Sequence, residues 1–490
     1  MMTPSIPRPG RGVRLISGLA ILVAWSGIAA STAHAQNRPG HNRDTREAER
    51  AIGLALIQSD PAQRERHYRS ALEAALRAVQ QDARNATGWL MAGRAYAGLG
   101  DLAGADSAFR YAEELHPPYA DELVGEREAA WAQAYNLAAD AYQRGDVAAS
   151  IELFELADRL SRKWPYALVV LGWLHSQQGD NERALNAYRS AIEVFSRGVP
   201  ADATAEQAEE WRARHADAVQ EAGRLLIAAG QTAEAEAVYR AFLQTNPGHV
   251  GAMIGLAQVA GGEEADRLYA ELVRQEGLSE QQLFQIGAGL YEAGRYDGAV
   301  EAFRKAVALN PYSRDAHFNL AQSLYQRARQ LQPEEGAGAP PPEFRGVLEE
   351  MIRAAEQTRA LDPNNRDLFR MLAYSYRGLS NLASNQAEKA RWEGEVTKIA
   401  QQYEEVPFEI FDIGFVQDGS DIQMNGTLEN LKLAKGATVR LRVSVLGEGG
   451  AVVGSDDVEV RVPAPGETVA FSATLSTSGT IRGWKYEVLQ

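Results

Sequence analysis

The sequence predicts a mainly α chain, a solenoid of stacked helix pairs followed by a small all-β antiparallel sandwich. Three observations lead there. A pattern of small, aromatic, glycine and proline residues recurs every 34 residues through the middle of the chain. After Val406-Pro407 the helical spacing of apolar residues gives way to alternation. The composition is that of folded protein, 45% hydrophobic and 23% charged over 490 residues, enough for about three domains at roughly 150 residues each.

The first element reads as an address. Arg8, Arg11 and Arg14 precede an apolar run from Leu15 to Ala30, shorter than the ~20 residues that span a bilayer. Ala33-His34-Ala35 then places small residues at the −3 and −1 positions. This layout predicts a secretory signal peptide over 1–35, cleaved after Ala35, with a retained membrane anchor as the alternative. Cleavage takes the net charge from −15 to −18. It predicts a periplasmic or secreted bacterial protein with no integral membrane span in the mature chain. The cysteine count of zero excludes disulfides, thiolate metal sites and cysteine nucleophiles. The acid excess repels phosphate backbones, so nucleic acid is not an expected partner.

The repeat comes next. In the unit 86–119, Trp89, Gly93, Tyr96, Gly100, Ala105, Phe109, Ala112 and Pro117 stand at positions 4, 8, 11, 15, 20, 24, 27 and 32. The unit 280–313 repeats this with Leu283, Gly287, Leu290, Gly294, Ala299, Phe303, Ala306 and Pro311. Units 165–198 and 216–249 keep most of it, and 131–164 keeps less. Further copies are a shortened one at 250–278, a lengthened one at 314–363 and one from 366 onward. Small residues at 8, 20 and 27 let two helices approach. Large ones at 4, 7, 11 and 24 fill the space between units. Glycine at 15 makes the turn, and proline at 32 ends the second helix. One such unit cannot bury its own apolar face, so units must stack.

This pattern resembles the tetratricopeptide repeat (TPR), almost position for position. The resemblance implies a right-handed superhelix over 36–405, with caps at 45–83 and 386–404, and a role in protein–protein interaction. Interruptions are expected at 120–130 and 199–215. The lengthened unit carries a loop insertion at 331–345 with Gly336 to Pro342, a surface loop or a docking peptide.

From 406 to 490, alternating runs such as Thr438 to Val445 and Val458 to Val462 lie between turn signals at Lys435-Gly436, Gly447 to Gly450 and Pro463 to Gly466. Six or seven short strands at this spacing predict an antiparallel sandwich. Gly426-Thr427-Leu428-Glu429-Asn430 and Pro465-Gly466 resemble parts of the bacterial FxLYD immunoglobulin-like domain. Val445-Leu446-Gly447 stands where that family has its Leu-Tyr-Asp segment. The resemblance implies a binding or spacer module.

No phosphate-binding loop, zinc-protease helix, nucleophile elbow or Ser-x-x-Lys motif is present. The eight histidines are scattered, and His175 falls at a packing position. Asp418-Gly419-Ser420-Asp421 lacks the oxygen series of a calcium loop. No catalytic residue, cofactor or metal is therefore expected, and the chain reads as a non-enzyme.

The TPR resemblance places positions 2, 5, 6, 9 and 12 of each first helix on a concave groove. Those slots hold Leu90 and Arg94; Tyr135, Asn136 and Tyr142; Val169 and Trp173; Gln220 and Arg224; Phe284; Phe318, Asn319, Gln322 and Tyr325; and Arg370, Tyr374 and Arg377. Rings give contact area, amides pair with backbone and arginine takes carboxylates, which suits an extended peptide or helix. About half of these residues are expected to be exposed. The reading is an exported scaffold or adaptor of the cell envelope that grips a protein segment. The alternatives are a peptidoglycan- or glycan-binding protein using Trp173, Tyr135 and the sandwich, or an accessory subunit of an envelope enzyme complex.

Overall fold

The computed structural model describes residues 39–490, apart from 334–337, 419–420, 478 and 490. The expected signal peptide and its cleavage site lie outside the described residues, as do Gly336 and Ala337 of the insertion. The chain divides into two compact units, one ending at Phe242 and one beginning at Leu243.

The first unit is helical. Its elements are α1 (Arg43–Ile57), α2 (Pro61–Gln81), α3 (Ala86–Leu99), α4 (Leu102–Leu115), the short α5 (Tyr119–Glu122), α6 (Val124–Gln143), α7 (Val147–Leu160), α8 (Tyr166–Gln177), α9 (Asn181–Phe195), α10 (Ala205–Ala228) and α11 (Thr232–Thr245). The pairs α3–α4, α6–α7, α8–α9 and α10–α11 are repeat units. The expected N-terminal pair is α1–α2, whose alanines Ala48, Ala55, Ala71 and Ala78 are fully buried.

The positions of the 34-residue pattern meet in space. A side chain on Gly172 would put its Cβ 2.7 Å from the Tyr188 ring, and one on Gly287 would lie 2.8 Å from Phe303. Positions 8 and 24 are thus a glycine and the ring that fills its place. Position 15 is equally specific. Gly100, Gly145, Gly179, Gly230 and Gly294 all have φ between 72° and 81°, the left-handed region where a Cβ is strained. An aspartate beside three of these turns starts the second helix. Asp101, Asp146 and Asp180 each accept from the N3 backbone N–H, at 2.8, 3.1 and 3.1 Å.

Both expected interruptions in this unit are largely helical. Residues 120–130 form most of α5 and the first turns of α6. Residues 205–215 are the start of the 24-residue α10, entered through a capping box between Thr204 and Gln207. The wide gap is mostly extra helix, with a short loop over 199–204 before it.

The second unit continues with α12 (Val250–Ala260), α13 (Gly262–Arg274), α14 (Glu280–Glu292), α15 (Tyr296–Leu309), α16 (Arg314–Leu331), α17 (Glu343–Leu361), α18 (Arg366–Asn381) and α19 (Gln386–Glu405). One apolar core runs from Val250 to Val406 through all of them. The predicted insertion at 331–345 is shorter than expected, because α16 extends through Leu331 and α17 begins at Glu343. On α19 only Ile399 is buried, which fits a terminal helix with a polar outer face.

The β region has β1 (Phe408–Asp418), β2 (Asp421–Asn430), β3 (Thr438–Leu446), β4 (Val452–Arg461), β5 (Thr468–Ser476) and β6 (Gly483–Leu489). They form two antiparallel three-stranded sheets in the orders β1-β2-β5 and β4-β3-β6. Alternation buries Ile422, Met424 and Leu428 from one sheet and Val439, Leu441, Val443 and Val445 from the other in a shared core.

This sandwich is bound to the last repeats by a polar network. Asp362, 1% exposed, pairs with Arg314 at 2.5 Å. The Tyr486 hydroxyl donates to the other Asp362 oxygen at 3.1 Å and accepts from the Asn364 backbone N–H at 3.1 Å. Asn310 donates to the Arg482 carbonyl at 2.6 Å, and the Arg366 N–H donates to Glu409 at 2.8 Å. Burial works against the Arg314 charge, but Asp362 and Asp315 outweigh it and hold the guanidinium above its ordinary range. Burial, then Asp362, pushes the Tyr486 hydroxyl well up.

Candidate binding groove

In the first compact unit the groove slots divide by depth. Leu90, Val169 and Tyr135 are buried, at 0%, 5% and 5% exposure. Tyr135, expected on the open face, instead packs edge-on against Phe154 at 5.1 Å and tilted against Trp131 at 5.4 Å. Burial pushes its hydroxyl up to about 12. Asn136 and Arg224 are exposed, and Arg94, Tyr142, Trp173 and Gln220 are half-buried. Tyr142 on α6 and Trp173 on α8 meet edge to face at 5.4 Å, a pair of rings shared by neighbouring repeats. The arginines are already engaged. Arg94 bridges Glu122 and Glu126 at 2.9 and 2.8 Å, and Arg224 holds Glu221 at 2.8 Å.

In the second unit, Phe284 stands edge-on to Phe303 at 5.6 Å, and the Arg314 guanidinium lies 5.0 Å over Phe318. The Asn319 amide donates to the Asp315 carbonyl one turn back at 2.8 Å, so it is turned along its own helix. Gln322 donates to the Tyr291 hydroxyl at 3.3 Å. Tyr325 on α16 and Tyr374 on α18 form a second edge-to-face pair at 5.0 Å, and the Tyr374 hydroxyl donates to Gln332 at 2.7 Å. Arg370 pairs with Asp367 at 2.7 Å and lies over Tyr403, while Arg377 is exposed. Each unit therefore has one half-buried aromatic pair that joins two first helices. Its arginines mostly hold the protein's own acids and do not stand ready for a ligand carboxylate.

Three contributors escaped the sequence reading. Tyr166 and Tyr291 occupy positions 2 and 12 of their units, slots already assigned to the groove, so the frame itself could have found them. Arg214 lies in the stretch 199–215, outside the repeat frame. The capping box Thr204-x-x-Gln207 was the legible sign that a helix begins there. His175 is buried, as its packing position implied, and its Nδ1 has no partner among the described residues.

Away from these slots, a cavity of about 290 Å³ is lined by Glu349, Ile352, Tyr376, Arg391, Trp392 and Glu395. Among the described residues no three His, Asp or Glu side chains converge as a metal site would need, and no helix is long and apolar enough to cross a membrane.

Three stretches of the helical part are tetratricopeptide repeats. Residues 165–196 and 216–259 match the family described as tetratricopeptide repeat, and 287–327 match the one described as TPR repeat. All three matches fall on helices, and none supports the FxLYD-like resemblance of the sandwich. A search of curated proteins found no match. Among solved structures, the chain is similar to a tetratricopeptide repeat protein from Parabacteroides merdae, at 13% identity and TM-score 0.31, covering 55% of this chain and 98% of that one. The C-terminal part of a TPR repeat-containing protein from Cytophaga hutchinsonii matches at 13% identity and TM-score 0.36, covering 54% and 95%. YrrB, described as a TPR protein with an unusual peptide-binding site, matches at 16% identity and TM-score 0.28, covering 51% and 94%.

Proposed function

We propose that this chain is a non-catalytic interaction scaffold, exported to the cell envelope, that holds a protein segment against the first helices of its repeats. The observation that carries the reading is the pair Tyr142 and Trp173. Two large rings from neighbouring repeats stay half-exposed, and Asn136 on the same helix as Tyr142 is exposed. Half-exposed aromatics next to adaptable polar groups are the usual anchors of peptide recognition. The acid excess favours a segment that is neutral or basic.

The test is affinity capture from a cell-envelope extract with residues 36–490, run beside Tyr142→Ala/Trp173→Ala. Tyr135 is left intact because its burial makes it a folding residue. A protein held by the first and lost by the second, with helical circular dichroism unchanged, is the expected result. Equal capture by both would remove the groove from the reading. Capture of glycan alone would replace the scaffold with a polymer-binding protein.

A further inference from the structure

The cavity of about 290 Å³ lies among three helices of the second compact unit. Glu349 and Ile352 come from α17, Tyr376 from α18, and Arg391, Trp392 and Glu395 from α19. Ligand pockets are roughly 300–1,000 Å³, so this one has room for a single small molecule. One wall is aromatic. Tyr376 is buried and stacks on the half-buried Trp392, with centroids 5.8 Å apart and planes at 19°. Ile352 adds an aliphatic side chain.

The acids of the lining are only loosely held. Glu349 and Glu395 are half-buried and open to water. Glu349 lies 3.8 Å from Arg345, which holds Glu388 more closely at 3.0 Å. Glu395 lies 3.5 Å from Lys398. Arg391 is exposed, its guanidinium lies 4.4 Å over the Trp392 ring, and it forms no ion pair among the described residues.

We propose that this cavity binds a small organic cation, an ammonium or guanidinium on a short apolar stem. The charged head meets Glu349 and Glu395, and the stem lies against Ile352 and the Tyr376–Trp392 pair. Five of the six lining residues stand on the second helices α17 and α19, so the site is separate from the first-helix groove and takes a ligand of its own.

Charge decides the class of ligand. Two carboxylates and one guanidinium leave one net negative charge on the lining, which repels an anion and attracts a cation. A bare metal ion lacks ligands, because among the described residues no three acids or histidines converge. An organic cation needs fewer, since carboxylates accept from its N–H groups and ring faces attract it. Arg391 over Trp392 is that ring contact made by the protein's own cation. Burial, then Glu356 and Glu395, raises the Tyr376 hydroxyl above its ordinary value, so it stays neutral and adds no charge.

The test is nuclear magnetic resonance of ¹⁵N-labelled residues 36–490, with butylguanidinium as the cation and butyrate as the anion. The Trp392 indole signal is assigned by its loss in Trp392→Phe. Butylguanidinium is expected to move that signal saturably, and butyrate to leave it in place. Affinity should fall at least about fivefold in Glu349→Gln and in Glu395→Gln, with helical circular dichroism unchanged. It should rise at least about twofold in Arg391→Gln, which removes a like charge. A signal that butylguanidinium leaves unmoved overturns the site, as does an equal response to butyrate. So does an affinity that neither glutamate variant lowers or that Arg391→Gln fails to raise. A capped Gly-Arg-Gly peptide that binds more than about tenfold tighter than butylguanidinium would overturn the free solute and make the cation a protein side chain. None of these outcomes depends on the first-helix groove.

Discussion

In four repeats, glycine at position 8 and an aromatic at position 24 form the contact on which the helix pair closes: Gly93 with Phe109, Gly172 with Tyr188, Gly223 with Tyr239 and Gly287 with Phe303. Gly287 faces Phe303 with no room for a methyl group. Gly287→Ala should therefore destabilise the protein by roughly 1–3 kcal/mol through overpacking, read as a lower urea midpoint at constant slope. Gly53 is the control. It lies inside α1 with nothing near its missing Cβ, so Gly53→Ala should stabilise by about 0.5–1 kcal/mol. Equal effects of the two substitutions would break the link between the repeat pattern and close helix approach. At this scale the sequence was informative wherever a residue's role is local. The turn glycines, the aspartate caps and the position 8 and 24 pairs are all short-range features that recur at one period. Tyr135 shows the limit. The frame says which face of a helix it occupies, and the rings of Trp131 and Phe154 decide how deep it lies.

Elements add what the period cannot encode. The helix α10 starts 11 residues before the repeat frame expects it, because the Thr204–Gln207 capping box sets its start independently of the pattern. That extension supplies Arg214, whose charge acts on the buried Tyr135 hydroxyl, from a stretch outside the repeat frame. Two helix starts in the second unit also make stability depend on pH. His249 caps α12, its Nδ1 accepting the Ala252 N–H at 3.2 Å, and His317 in α16 faces the Pro311 carbonyl at 3.0 Å. Burial pushes both imidazoles below their ordinary value of about 6.5. As pH falls below about 6.5 the unfolded chain takes up protons that the folded one refuses, so stability falls toward the lowered folded values. Glu409 acts with the opposite sign, because burial raises its carboxyl and the folded state then protonates first, in a lower pH range. The thermal midpoint should drop between pH 7.5 and pH 5.5, and less steeply in His317→Gln. An unchanged slope in that variant would remove His317 from the explanation.

For the whole molecule, the second compact unit joins two kinds of fold. The change of period at Val406-Pro407 made the onset of strands legible. The contact between sandwich and helices was not, because Asp362 and Tyr486 stand far apart in sequence and no local pattern couples them. Breaking this network should affect both parts together. Asp362→Ala leaves Arg314 with Asp315 alone and removes the acceptor of the Tyr486 hydroxyl, so it should cost at least as much as Tyr486→Phe, which should cost about 1–3 kcal/mol. In each variant the helical signal at 222 nm and the fluorescence of Trp484 should shift to the same lower midpoint. A sandwich that melts early while the helices stay unchanged would show that the network is not what couples them. The sandwich is thus a fixed end to the repeats of its own compact unit, and under the proposal above the first helices are the face offered to a partner.

Site-specific photocrosslinking in cells tests that face most directly. A photoreactive residue would replace Asn136 or Arg377, exposed groove slots, and in parallel Arg183 or Lys398, exposed on second helices. If the groove is the docking face, one partner protein crosslinks from Asn136 or Arg377 and from neither second-helix position. Adducts that form only from Arg183 or Lys398 would contradict it.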